Sequence, residues 1–164
     1  MMKLALINNL KTILCLLYFT LISFSVTAAH AQTITELQPL TFGQVALTNN
    51  STPRSIEITS TGSINADPAY VFFTDPQRGE VVLDGYLPNT VYTITFSSPT
   101  TVYPTGIGLS NFTLGPIMTV PTVIMTDGTG SVTFNTYATL TSDGGGGTHV
   151  DDLFEGTYNM TIAP

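Results

Sequence analysis

The densest set of reactive side chains in this 164-residue chain lies late in the sequence. Asp143, Asp151, Asp152 and Glu155 surround four consecutive glycines, Gly144 to Gly147. Carboxylates on a flexible backbone are the oxygen donors that calcium takes, six to eight at a time. No EF-hand spacing orders them, so a solvated acidic loop is the plainer reading and a calcium loop the alternative. His149 sits in the same stretch and is the one histidine after residue 31. The single cysteine, Cys15, is far upstream, so a zinc site would need carboxylates for most of its ligands. His149, Asp151 and a serine can be drawn as a triad, yet no Gly-x-Ser-x-Gly elbow presents a nucleophile. Glycosidase chemistry needs two acids facing one cleft, whereas most acids here lie beside turns. The glycine run has no lysine behind it and anionic neighbours, which excludes a phosphate cradle. No catalysis, metal centre or cofactor is expected. Tyr86, Tyr103 and Tyr137 fall at turns or on outward phases. They could stack on sugars, though rim tyrosines are the more ordinary use.

Charge narrows the partners. The chain carries 4 basic and 11 acidic residues, net −7. Lys3 and Lys11 are its two lysines, so residues 32–164 hold Arg54 and Arg78 against every acid. Such a surface cannot displace counterions from nucleic-acid phosphates and is repelled by anionic membranes.

The N-terminal segment gives an address. Lys3 and Lys11 precede an apolar run from Thr12 to Val26, and Ala29-His30-Ala31 is a small-x-small cleavage site. The run is short for a bilayer core of about 30 Å. Residues 1–31 therefore read as a helical secretory signal peptide cut after Ala31, and 32–164 as a single domain. The product is exported to the periplasm, outer surface or medium, with no membrane attachment after cleavage. It would hold no cysteine, so packing alone must stabilise it.

The exported part must be built from strands. Glycine and proline recur throughout, and no stretch of ten residues free of them shows a 3.6-residue apolar period. Alternation of period two is plain at Ile56 and Ile58, at Tyr92, Ile94 and Phe96, at Val132, Phe134, Ala138 and Leu140, and at Tyr158, Met160 and Ile162. Leu40 and Phe42 share one phase while Val45 and Leu47 share the other, which predicts a β-bulge at Gly43. Asp127-Gly128-Thr129-Gly130 predicts a hairpin pairing 121–126 with 131–140. Nine or ten short strands mean a sandwich or a barrel; an antiparallel β-sandwich is favoured, since the large inward side chains would fill a barrel's cavity, with a jelly roll as the alternative.

Four segments in order are similar to domain-of-unknown-function family 4402, a family of bacterial secreted proteins. They are Leu40-Thr41-Phe42-Gly43-Gln44-Val45, the stretch from Val81 through Gly85 and Tyr92 to Ile94, the Asp127–Gly130 turn, and Gly156-Thr157-Tyr158-Asn159-Met160-Thr161-Ile162. The resemblance implies an immunoglobulin-like sandwich of about nine strands from Gram-negative bacteria, pilin-like or surface-associated. Phe42, Gly43, Gly85, Tyr92, Gly128, Gly156 and Tyr158 would be its structural residues, and it supplies no catalytic ones. The chain departs from the pattern in its glycine insertion and in a short first strand, 33–37. There Ile34 and Leu37 are out of phase, unsuited to an exchanged donor strand.

Sandwich edges are commonly blunted by lysines. This chain offers Pro99, Pro104, Pro116, Pro121 and acidic charge instead. The expected function is a structural or adhesin-like surface protein, a pilin-like subunit in one form, meeting copies of itself or other surface proteins through sheet edges. The alternative is a monomeric periplasmic or extracellular binding module for carbohydrate or calcium.

Overall fold

Inward-facing side chains at every second residue dictate what forms. Val81 and Leu83 are buried between half-exposed neighbours, as are Phe134 and Thr136, Ile56 and Ile58, and Phe112 and Leu114. Burying each large apolar side chain contributes about 1.5–3 kcal/mol. The pleat puts all of them on one face of their strand.

The computed structural model describes residues 31–97, 100–104, 111–147 and 153–164. Among these the secondary structure is entirely β. The strands are β1 Thr33–Gln38, β2 Val45–Leu47, β3 Ser55–Ile58, β4 Ile64–Ala66, β5 Tyr70–Phe72, β6 Gly79–Asp84, β7 Val91–Phe96 and β8 Thr100–Pro104. Then follow β9 Phe112–Leu114, β10 Met118–Val120, β11 Ile124–Met125, β12 Val132–Tyr137, β13 Thr139–Ser142, β14 Phe154–Glu155 and β15 Met160–Ala163. No described helix is long and apolar enough to cross a membrane. The signal-peptide expectation, with Ala29, falls outside the described residues; Ala31 is exposed coil.

Fifteen strands among the described residues replace the nine or ten expected because long strands break and resume. β1 pairs with β6, Thr41 bridges Gln77, and β2 pairs with β5 in nearly the same offset. Residues 33–47 thus run antiparallel to 84–70 along one interrupted ladder. β7 with β15 and β8 with β14 form a second such ladder. A third joins β12 to β10 and β13 to β9.

The sheets are antiparallel and stack in a sandwich-like arrangement around two apolar clusters. The order β1-β6-β12-β10 faces β11-β7-β15 across Val81, Leu83, Ile124 and Phe134, with Ile94, Met160 and Ile162 at the margin. The order β14-β8-β9-β13-β3-β4 faces the β2-β5 pair across Ile56, Tyr70, Phe112, Leu114 and Leu140. Residues Gln32–Pro164 make one compact unit.

The break at Gly43 is where the sequence places it. Gly43 has φ +74°, and a Cβ there would strike the Thr74 carbonyl oxygen. Leu40, Phe42, Val45 and Leu47 accordingly all reach the same cluster.

The expected hairpin is corrected. Residues 121–126 do not pair with 131–140. Instead β10 pairs with the far end of β12, and β11 pairs with β7, Ile124 opposite Tyr92. Pro121 has no N–H to continue the first ladder. Moving to the opposite sheet places Ile124 against Phe134 in the core. The Asp127–Gly130 turn therefore arches between sheets.

Asp127 organises that arch. Its Oδ1 accepts bonds from Thr129 N (2.9 Å), Thr129 Oγ1 (2.7 Å) and Ser131 N (2.9 Å). These bonds, the Thr129 hydroxyl foremost, hold its carboxyl below the ordinary 3.8. The positive φ falls on Gly130 (+86°), whose Cβ would strike the Tyr86 carbonyl; at Gly128 a Cβ would meet nothing within 4 Å.

Two outcomes are expected. Gly130→Ala destabilises by about 2 kcal/mol or more, from the left-handed backbone plus the clash, while Gly128→Ala stays within about 0.5 kcal/mol; urea unfolding of both variants checks this. Asp127 stabilises the fold when ionised, fully so above pH 3.8, and the contribution is lost as pH falls through its lower folded value. Asp127→Asn should flatten that part of the stability profile, measured by urea midpoints between pH 2 and 6.

Candidate functional site

Of the loop residues expected to carry chemistry, only Asp143 and Glu155 are described. Asp151, Asp152 and His149 lie outside the described residues. Asp143 is engaged: its Oδ1 accepts Asn50 Nδ2 at 2.6 Å and Gly145 N at 3.1 Å. Asn50 is buried, at 7% exposure. Its Oδ1 accepts Gly144 N at 3.2 Å and its carbonyl accepts Gly146 N at 2.8 Å. The glycine run is thus fastened to the turn at Asn50, which stands 93 residues before Asp143 and which no local spacing points to. Glu155 pairs in register with Tyr103 at the β14–β8 edge. Among the described residues no three metal-ligating side chains cluster.

The tyrosines are placed as follows. Tyr86 packs edge-on against Tyr92, centroids 5.3 Å apart, and Tyr92 Oη accepts Leu87 N at 3.1 Å. Burial raises the Tyr86 pKa. Tyr137 is half-buried on β12 opposite Met118. The side chain of Tyr103 lies outside the described residues.

Of the structural candidates, Phe42 packs against the larger cluster, Gly43 and Gly85 have positive φ, and Tyr92 is buried. Tyr158 stacks edge-on with Phe96 at 5.6 Å. Gly156 lies in exposed coil before β15.

One ion pair is present among the described residues, Arg54 Nη1 to Asp67 Oδ2 at 3.0 Å. A backbone bond from Ala69 is the main reason the Asp67 carboxyl titrates low, with Arg54 adding to it. Tyr70 Oη donates to the Arg54 carbonyl at 3.0 Å, and burial pushes its pKa up to about 12.

The unusual surface is the margin where β1 and β15 end the two facing sheets. The opposite margin is closed, because residues 121–123 carry the chain from β10 to β11. No ladder joins β1 to β15 among the described residues. Ile34 stands opposite the fully buried Leu83 and so lies on the core-facing side of its sheet, yet it is 51% exposed. Leu37, 59% exposed, falls at a register shift between Glu36 and Gln38. The out-of-phase pair is therefore the mark of a bulged strand. Met160 and Ile162 on β15 are half-buried. Burial first, then the charge of Glu36, raises the Tyr158 pKa.

No family model, curated protein or solved structure matches the chain.

Asn50→Ala should cost about 1–3 kcal/mol, because it strips partners from Asp143 and from a buried turn. Urea unfolding measures the loss, and amide exchange should show Gly144 and Gly146 opening sooner.

Proposed function

We propose that this chain is an exported structural protein of the bacterial surface, without catalytic chemistry, that associates with copies of itself through the β1–β15 margin. Export would follow cleavage after Ala31, leaving β1 close behind the new N-terminus. The finer fold reading that belongs with this proposal is an immunoglobulin-like sandwich of the kind shared by pilin-like surface proteins.

The observation that carries the reading is the state of β1. Five of its six residues are exposed although the strand is hydrogen-bonded along its length to β6. It contributes backbone bonds and almost no burial, and its outer edge is unpaired among the described residues. Neither lysine nor proline blunts it. An edge of this kind accepts another strand, and a second copy is a fitting source, offering the same half-covered Ile34 and Leu37. Self-contact through one patch gives a two-fold pair.

Charge sets the conditions. Each exported chain has two arginines against eleven acids, so like-charge repulsion opposes association at low salt and is screened as salt rises.

Sedimentation velocity of the exported protein should show concentration-dependent self-association that strengthens between 20 and 300 mM salt (roughly 20 Å down to 6 Å of screening length). Ile34→Lys combined with Leu37→Lys should hold it monomeric with its melting temperature little changed. A wild-type protein that stays monomeric at every concentration and salt would overturn the proposal.

A further inference from the structure

A second surface, on the outward face of the β1-β6-β12 sheet, is built for hydrogen bonding. Gln38, Glu80 and Asn135 stand in register across β1, β6 and β12. Glu80 lies between buried Gly79 and Val81, and Asn135 between buried Phe134 and Thr136, so their side chains point outward by alternation. Above this row sits Arg78, two residues before Glu80 and on its phase. A pocket of about 630 Å³ opens here, walled by Arg78 and by the turn at Thr61 and Gly62.

The arginine is fixed in place. Its Nη1 donates to the Ser60 carbonyl at 2.8 Å. Gly62, at φ +86°, lets the guanidinium lie close, since a Cβ there would come within 3.0 Å of Arg78 Nε. Gln38 Nε2 donates both to the Arg78 carbonyl (3.0 Å) and to Gln77 Oε1 (3.1 Å), which fixes the neighbouring strand. Arg78 has no carboxylate within 4.0 Å among the described residues. One bond to Ser60 leaves most of its five N–H donors unspent.

We infer that this pocket binds a neutral saccharide, with vicinal hydroxyls bridging Arg78, Glu80 and Asn135. A sugar hydroxyl donates and accepts at once, so it fits between a donor-only guanidinium and an acceptor-only carboxylate, and Asn135 offers both. The pocket pairs one cation with one anion, and the surrounding chain is strongly acidic, which disfavours anionic ligands. Among the described residues no aromatic side chain lines it, so recognition rests on directed hydrogen bonds and not on stacking. This assignment is independent of self-association and uses none of the tyrosines singled out in the sequence.

The test is a ¹H–¹⁵N NMR titration of the exported protein with galactose, mannose, glucose and N-acetylglucosamine, and with galacturonate as the charged comparison. The expected result is saturable shifts at amides 61–62, 77–80 and 135 with at least one neutral sugar, and weaker binding of galacturonate than of galactose. Glu80→Gln and Asn135→Ala, both outward on strands, should each weaken binding at least tenfold while retaining the wild-type melting temperature. Absence of saturable shifts with every neutral sugar, shifts mapping elsewhere, or tighter binding of galacturonate would overturn the assignment.

Discussion

The structure depends on one continuous segment, 132–142, belonging to two sheets at once. Up to Tyr137 the segment pairs with β6 and β10; from Thr139 it pairs with β3 and β9. Ala138 is the crossing point, 1% exposed, and its carbonyl accepts Ile58 N at 3.0 Å. Phe134 on one side fills the smaller cluster and Leu140 on the other fills the larger. A strand shared in this way couples two cores that would otherwise be separable, and a side chain larger than alanine at the crossing has no room to enter. Gly115 N donating to the Thr139 carbonyl at 2.7 Å repeats the anchoring from the neighbouring segment.

Crossing has a geometric consequence at the margins. A chain that passes from sheet to sheet closes the side on which it passes, as residues 121–123 do between β10 and β11. Among the described residues the other side has no such passage, and there β1 keeps its ladder to β6 while Ile34 lies half uncovered beside a buried neighbour. The proposed contact surface is thus the unclosed side of a fold whose other side is sealed. The polar pocket at Arg78 arises differently, from the 59–63 turn leaning over the outward face of β6. Apolar exposure at one place and paired charge at the other suit partners of different chemistry.

Period-two alternation made the strands legible. Ile56 and Ile58, Tyr92 and Ile94, and Phe134 and Leu140 face inward as their spacing requires, and the phase change across Gly43 marks a true break. What alternation cannot convey is which strand lies beside which. The Asp127–Gly130 turn has hairpin residues, yet Pro121 and the burial of Ile124 send the preceding segment to the other sheet. The acidic loop was equally opaque, because the group that takes up Asp143 is Asn50, from the opposite end of the domain. Gln38, Thr61, Arg78 and Asn135 come together from four separate segments, so no local spacing announces the pocket they form.

Hydrogen exchange followed residue by residue tests the coupling most directly. If 132–142 unites the two cores, amides of β6, β12, β13 and β3 should exchange together, only through global unfolding, and share one dependence on urea, while β1 exchanges much sooner through local release. Two separate exchange classes, one for the amides around Phe134 and another for those around Leu140, would contradict the account.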